Sequence, residues 1–390
     1  MLRWVLCYLL FLLSCDWALA YPAFISYGYS SCITCHYNGH GGGALNDYGR
    51  ALFASEITAR DIFSANIEED EIAAGSGFLG KTELPWWVRP GAKYRGLWFQ
   101  NSPGSETAKT ERFFNMQADI NLNFFFDKKQ KYALITTAGY STYPRRFSGS
   151  TELKTPFWFA KEYYVRYQIN KTFWLYVGQL ERVFGLRQID HTAVSRQLIG
   201  MTQFNQSQGF VLHWIYPTWD FAVNAFFGNG DELPEFKQKG VSVSGEYEIF
   251  EKFKVGGSAL VSKNETLGWK NLAIHSRIAV GKGTSLQTEF GLFEKTSLGS
   301  VSATPVTGTY GIIENWMSLR RGYNILSQIQ YAKSDIKTAD AERSSFGFGA
   351  LMYPLPKTEI RMMAINGKTY NEQSATQDSW QLQSQLHLSW

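Results

Sequence analysis

From about residue 89 onward the chain repeats one kind of segment, ten to fourteen residues of alternating polarity followed by a turn. In the clearest case Met116, Ala118, Ile120, Leu122, Phe124 and Phe126 fall on one side, with Asn115, Gln117, Asp119, Asn121 and Asn123 on the other. Val241, Val243, Tyr247 and Ile249 alternate in the same way with Ser242, Ser244, Glu246 and Glu248, as do Tyr163, Val165, Tyr167 and Ile169 with Glu162, Arg166 and Gln168. Period two over such lengths makes strands with one oily and one wet face. Strands of soluble sandwiches average about five or six residues, whereas a strand crossing a bilayer at a tilt needs about 9 to 11. The expectation is an all-β fold, a transmembrane antiparallel β-barrel of about 16 strands.

The segments fall at 91–101, 112–126, 131–141, 157–169, 172–183, 207–216, 219–228, 240–250, 252–263, 269–281, 284–295, 305–319, 322–333, 344–354, 357–367 and 377–390. Links after even-numbered strands are brief, as at Asn170 with Lys171 and Pro217 with Thr218, and most links after odd-numbered strands are longer, including Tyr140 to Pro156 and Phe184 to Gln206. Outer-membrane barrels show that asymmetry, with short periplasmic turns and long external loops. The longer links are therefore expected outside, with His191 in the longest of them. The last segment sets Trp380, Leu382, Leu386, Leu388 and Trp390 against Gln381, Gln383, Gln385 and His387 and ends on an aromatic residue, like the insertion signal of bacterial outer-membrane proteins.

Residues 1–20 differ in kind. Arg3, an apolar run from Trp4 to Leu13, and the small residues Ala18 and Ala20 form a secretory signal pattern, and Leu12 to Cys15 offer a rival lipoprotein cleavage site with Cys15 lipidated. Outside the barrel strands no run approaches the roughly 18 apolar residues of a membrane helix. The net charge of +4 with 18% charged residues does not suggest nucleic acid as a partner. The organisation expected is a signal peptide at 1–20, a small, mostly helical segment at 21–89, and the barrel at 90–390. Within the middle segment, Asn46 or Asp47 is placed to cap a helix running through Ala51, Leu52, Ile57 and Ile62, and a second, acidic helix covers Ile67 to Ala74.

Two of the four cysteines lie in the signal, which leaves Cys32 and Cys35. A two-residue gap suits a redox dithiol, half of a zinc site or haem attachment, and His36 directly after the pair selects the last. No second cysteine pair exists to complete a four-ligand zinc site. Cys32 and Cys35 are thus expected to bind one haem c covalently, with His36 as the proximal iron ligand. For the sixth ligand the candidates are His387 and His213, on wet faces about three residues from the periplasmic ends of their strands, and His40, which on a helix would share the face of His36. His275 is a further wet-face histidine, and Met116, Met317, Met352 and Met362 fit lipid-facing positions. Arg50 is a candidate for pairing with a haem propionate. Asp119, Glu162, Arg166, Glu246, Glu248, Arg277 and Glu289 are expected to line a wet interior of mixed charge.

The run Ser31, Cys32, Ile33, Thr34, Cys35, His36, Tyr37 and Asn38, followed by Leu45, Asn46, Asp47, Tyr48, Gly49 and Arg50, resembles the head of fused cytochrome-porins, bacterial outer-membrane proteins in which a monohaem segment precedes a β-barrel. The likeness covers some twenty residues of the head and is architectural elsewhere. It implies haem transfer to Cys32 and Cys35 in the periplasm and a role in electron movement at the outer membrane of a Gram-negative bacterium. The partners it implies are outer-membrane lipid, the barrel-assembly and cytochrome c maturation machinery, and periplasmic or external redox proteins. A different reading is a solute porin in which the haem segment is a plug or redox-sensitive gate. A haem enzyme such as a peroxidase would need acid-base groups beside an open iron site, and only His40 is near in sequence; the expectation is that the protein is not an enzyme.

Overall fold

The computed structural model describes residues 25–390 except 27, 28, 30, 41–42, 63–65, 81–83, 104–108, 142–144, 147–152, 155–156, 187–192, 202–204, 231, 233, 299–303, 339–340 and 372–373. The signal reading of residues 1–20, Cys15 and His191 lie outside the described residues.

The chain forms a closed antiparallel barrel of sixteen strands, each paired with its sequence neighbour. They are β1 (Val88–Pro103), β2 (Thr110–Phe125), β3 (Tyr132–Ser141), β4 (Phe157–Gln168), β5 (Phe173–Leu180), β6 (Ser207–Ile215), β7 (Trp219–Phe226), β8 (Lys239–Phe250) and β9 (Phe253–Lys263). The remaining strands are β10 (Leu267–Gly281), β11 (Thr284–Ser297), β12 (Val306–Arg320), β13 (Tyr323–Lys333), β14 (Glu342–Leu355), β15 (Thr358–Asn371) and β16 (Ser374–Ser389). All sixteen expected segments are strands, and their ends move by a few residues only. β16 closes on β1 from Lys93 opposite Ser389 to Pro103 opposite Ser379. Trp390 extends the seam, exchanging backbone hydrogen bonds with Ala92 at 2.8 and 3.0 Å. Closure leaves no strand edge unpaired, which is what allows a sheet to stand in hydrocarbon.

The faces are inverted relative to a soluble protein. On β2, Ile120 is 54% exposed on the outer surface while its neighbour Asn121 is 2% exposed inside. The outer apolar band is bordered by aromatic residues at both ends. At the short-turn end Tyr132 stacks on Tyr167 at 4.6 Å and Trp219 lies 4.6 Å from Trp214, and at the other end Tyr140 meets Trp158 at 5.0 Å between ring centroids. Inside, charges are paired: Lys161 holds Asp119 at 2.8 Å, Arg277 and His275 both reach Glu246, and Gln328 donates to Glu314 at 2.9 Å. Buried polar groups without such partners would cost about 1–3 kcal/mol each.

Sixteen strands ordinarily enclose an aqueous channel, but this lumen is entered from both ends. From the short-turn end comes the segment before β1. It carries α1 (Asp47–Leu52), a π-helical turn over Phe53–Ile57, and α2 (Glu69–Ala74). The expected first helix is therefore shorter than the pattern suggested: it widens at Phe53 and stops at Thr58, whose N–H bonds back to the Phe53 carbonyl at 3.0 Å. The segment is tied to the barrel turns. Arg321 donates to the carbonyls of Thr58 and Ser55, Ala59 N–H donates to Tyr353 O at 2.9 Å, and Gly283 N–H donates to Ser26 Oγ at 3.2 Å.

From the opposite end comes the link between β5 and β6. It was expected to be an external loop, and the described part instead folds into the lumen, with a short helix α3 (Val194–Gln197) packed against β11, β12 and β13. The physical reason is polar pairing that spacing cannot reveal. Gly185 N–H donates to Ser258 Oγ at 2.9 Å, Val194 N–H to Gln330 Oε1 at 2.8 Å, and Leu186 N–H to Glu289. Phe184, Val194, Ile199 and Met201 meanwhile pack with Phe226, Leu260 and Phe293 of the wall.

Candidate cofactor site in the barrel lumen

Cys32–Thr34 form a single 3-10 turn, and the N–H groups of Cys35 and His36 both donate to the Cys32 carbonyl, at 3.2 and 2.9 Å. That turn brings two thiols and an imidazole together over five residues. It is clamped by Asn46, which does two jobs at once. Its Oδ1 accepts from Gly49 N–H at 2.8 Å and so caps α1, while its Nδ2 donates to the Thr34 carbonyl at 2.9 Å and the Ile33 carbonyl at 3.3 Å. The Asn46 N–H completes the clamp on Cys35 O at 2.8 Å. Gly49 lies so close to Cys35 that a Cβ there would fall inside van der Waals contact of the Cys35 carbonyl. The two sequence runs of the head, 31–38 and 45–50, are thus one mechanical unit.

Between them the chain makes a tight hairpin, with His36 bridged to Leu45 and Tyr37 N–H donating to Ala44 O at 3.3 Å. Tyr37 anchors it to the wall: its ring lies 5.5 Å from Phe125, Arg166 covers it at 5.8 Å, and Arg166 Nη1 donates to its carbonyl at 3.3 Å. Ser31 Oγ reaches Asp220 at 3.4 Å, and Lys93 donates to Gly43 O.

Cys32, Cys35 and His36 line one cavity of about 360 Å³, within the roughly 300–1,000 Å³ of small-molecule and cofactor sites. Its floor is the cysteine turn, its roof the inward link (Arg182 to Leu186, Ser195, Arg196 and Met201), and its walls are barrel interior. Both cysteines are free of disulfide, and Cys35 is 4% exposed. Burial, then the neighbouring Cys32, pushes the Cys35 thiol up to about 12. A reactive redox thiol has its pKa lowered instead, so this environment opposes the dithiol reading of the pair. Among the described residues no cluster of three or more His, Cys, Asp or Glu is arranged to hold a bare metal ion. The donor set does fit a haem: two thiols and an imidazole on one turn, apolar groups such as Leu45, Phe53 and Phe184 for the ring, and cations including Lys93, Arg95 and Lys357 for its carboxylates.

The other candidate residues separate clearly. His387 lines the cavity, with Nδ1 3.2 Å from Glu359 Oε2. His40 also lines it, but it sits in the hairpin and not on a helix, and its ring is stacked at 4.3 Å on His213. His213 is on the inward face as expected, yet fully buried and absent from the cavity wall. It bonds Asp220, and a Cβ at Gly39 would lie 2.6 Å from its Nδ1, so the hairpin backbone covers it. His275 is engaged with Glu246 at 3.2 Å. Arg50 pairs with Asp47, which Arg89 also holds at 2.7 Å, and does not reach the cavity wall. Sequence reasoning missed Glu359, which the alternation of β15 could have placed inside, and the cavity roof, which no periodicity marks.

No protein-family model and no curated protein matches the chain. Solved structures match its fold. The outer-membrane channel DcaP of Acinetobacter baumannii is similar with a TM-score of 0.58 at 11% identity, over 78% of this chain and 97% of that one. OprB of Pseudomonas putida gives 0.60 at 10%, over 78% and 94%, and an anion-selective porin from Comamonas acidovorans gives 0.57 at 6%, over 78% and 99%. At such identities the likeness is one of fold: the chain is a closed sixteen-stranded barrel resembling the porins of Gram-negative outer membranes.

Proposed function

We propose that this outer-membrane barrel holds one covalent c-type haem on Cys32 and Cys35, with His36 as proximal ligand, and takes part in electron transfer at or across the membrane. The observation that carries the reading is that both thiols and the imidazole line one cavity inside the lumen, bordered on one side by the clamped head and on the other by the described part of the β5–β6 link. A bound haem supplies a one-electron couple. The chain's own part is to fix the turn through Asn46, offer Lys93, Arg95 and Lys357 to acidic groups, and limit water access from either side. The short-turn end is the periplasmic end in this reading, so the head faces cytochrome maturation and periplasmic redox proteins.

One haem in this position spans only part of the membrane. Ser31 and Tyr37 are pinned to Asp220 and Arg166, residues within three of the short-turn ends of β7 and β4, which is roughly 10 Å along a strand. The apolar band of such barrels is about 25 Å tall, so a second redox partner or diffusing carrier is required at the far side. Pyridine-haem quantification of the purified protein tests the cofactor, with one haem per chain expected. Proteoliposomes with an enclosed reductant test the transfer; no reduction of an external acceptor, with or without added redox partners, would end the electron-transfer reading.

The second reading, a solute porin gated by its plug, draws on the likeness to channels. Planar-bilayer conductance that changes between reducing and oxidising conditions would favour it.

A further inference from the structure

We infer that His387 is the distal iron ligand and that Glu359 positions it. The inference rests on the haem reading above and on four observations. His387 lines the same cavity as Cys32, Cys35 and His36. Its Nδ1 faces the Glu359 carboxylate at 3.2 Å, while its Nε2, shielded from solvent, has no hydrogen-bond partner. A metal-binding histidine almost always gives its other ring N–H to a carboxylate or carbonyl, which fixes the tautomer and points the bare nitrogen at the metal. The side chain is otherwise largely buried, 16% exposed, in the cavity wall.

The level in the barrel also agrees. His387 is two residues before the end of β16 and Glu359 is the second residue of β15, where the two strands pair directly. Arg166, which holds Tyr37 next to His36, is likewise two residues before the end of β4. The competitors are disposed differently. His213 is covered by the hairpin at Gly39, and His40 would have to abandon its stack on His213. Met201 belongs to the cavity roof and packs among Phe184, Ile199 and Phe226.

The experiment compares full-length wild type, His387→Ala, His387→Met, His213→Ala, Met201→Leu and Glu359→Gln in detergent. Heat-modifiable migration reports a folded barrel, and pyridine-haem content reports loading. Wild type is expected to be low-spin and to bind no carbon monoxide when reduced. H387A is expected to become high-spin and to bind carbon monoxide stoichiometrically, with added imidazole restoring the low-spin spectrum. H213A and M201L should remain low-spin, and E359Q should remain low-spin with a midpoint potential raised by the weaker donor. Should H387A not fold, H387M decides: a low-spin spectrum shifted to that of a histidine–methionine pair supports the assignment. An unchanged spectrum in H387A or H387M, loss of low spin in H213A or M201L, or a high-spin wild type would overturn it. Wild type without covalent haem would instead remove the reading on which it rests.

Discussion

Two described stretches of chain enter the lumen, and they differ in how much of their shape is set by neighbours in sequence. The head before β1 is organised from within: Asn46 caps its helix and grips its cysteine turn, and Gly49 lets the two pack closely. The described part of the β5–β6 link bonds within itself chiefly through α3 and through Arg196 and Arg182, which donate to the Met201 and Gly200 carbonyls, and its backbone also donates to the wall side chains Glu289, Ser258 and Gln330. A locally built element leaves its mark in neighbouring residues. An element held by distant partners leaves none.

The comparison can be broken by experiment. The largest effect is expected from replacing both Cys32 and Cys35 by Ala: covalent haem falls to zero by pyridine-haem assay, while heat-modifiable migration shows an intact barrel, because no strand depends on the turn. Next, Glu289→Ala should release the link. It strands the Leu186 N–H and the Tyr310 hydroxyl, which bonds Glu289 at 2.9 Å; each stranded donor costs about 1–3 kcal/mol. Planar-bilayer conductance should rise with haem content unchanged, and an unaltered conductance would show that the link is not what narrows the lumen. Asn46→Ala should do the reverse. Losing a helix cap costs about 1 kcal/mol, so haem loading should fall by severalfold and conductance should hold. The smallest effect is in thiol chemistry. In haem-free protein Cys35 is protonated at neutral pH because burial raises its pKa to about 12. Alkylation at Cys35 should be slow near pH 7 and accelerate as pH climbs toward that value, with Cys32, the more exposed thiol, reacting first.

What was legible in the sequence follows the same division. Sixteen strands could be read because a two-faced strand long enough to cross a bilayer writes its orientation at every second position, as Ile120 and Asn121 do. The cysteine turn could be read because its chemistry requires adjacent residues. His213 was correctly placed on the inward face, but nothing near it in the chain tells that Gly39 and His40 would cover it. Glu359 and His387 are 28 positions apart, and only the pairing of β15 with β16 makes them neighbours. The inward turn of the β5–β6 link was illegible for the same reason, since Glu289 looked like ordinary pore lining.

The seam between β1 and β16 sets an order of events. The head runs directly into β1, and β1 is the strand that pairs with β16 to close the barrel, so the closing seam lies next to the head in the chain. Once Trp390 has docked on Ala92, Cys35 is buried inside the closed barrel. On the haem reading, attachment precedes closure: cofactor loading becomes a step in the life history of the chain and not an equilibrium of the finished barrel. A barrel refolded without haem should then refuse it afterwards, however long the two are incubated with reductant, and ready uptake into the closed form would show that the cavity has a door.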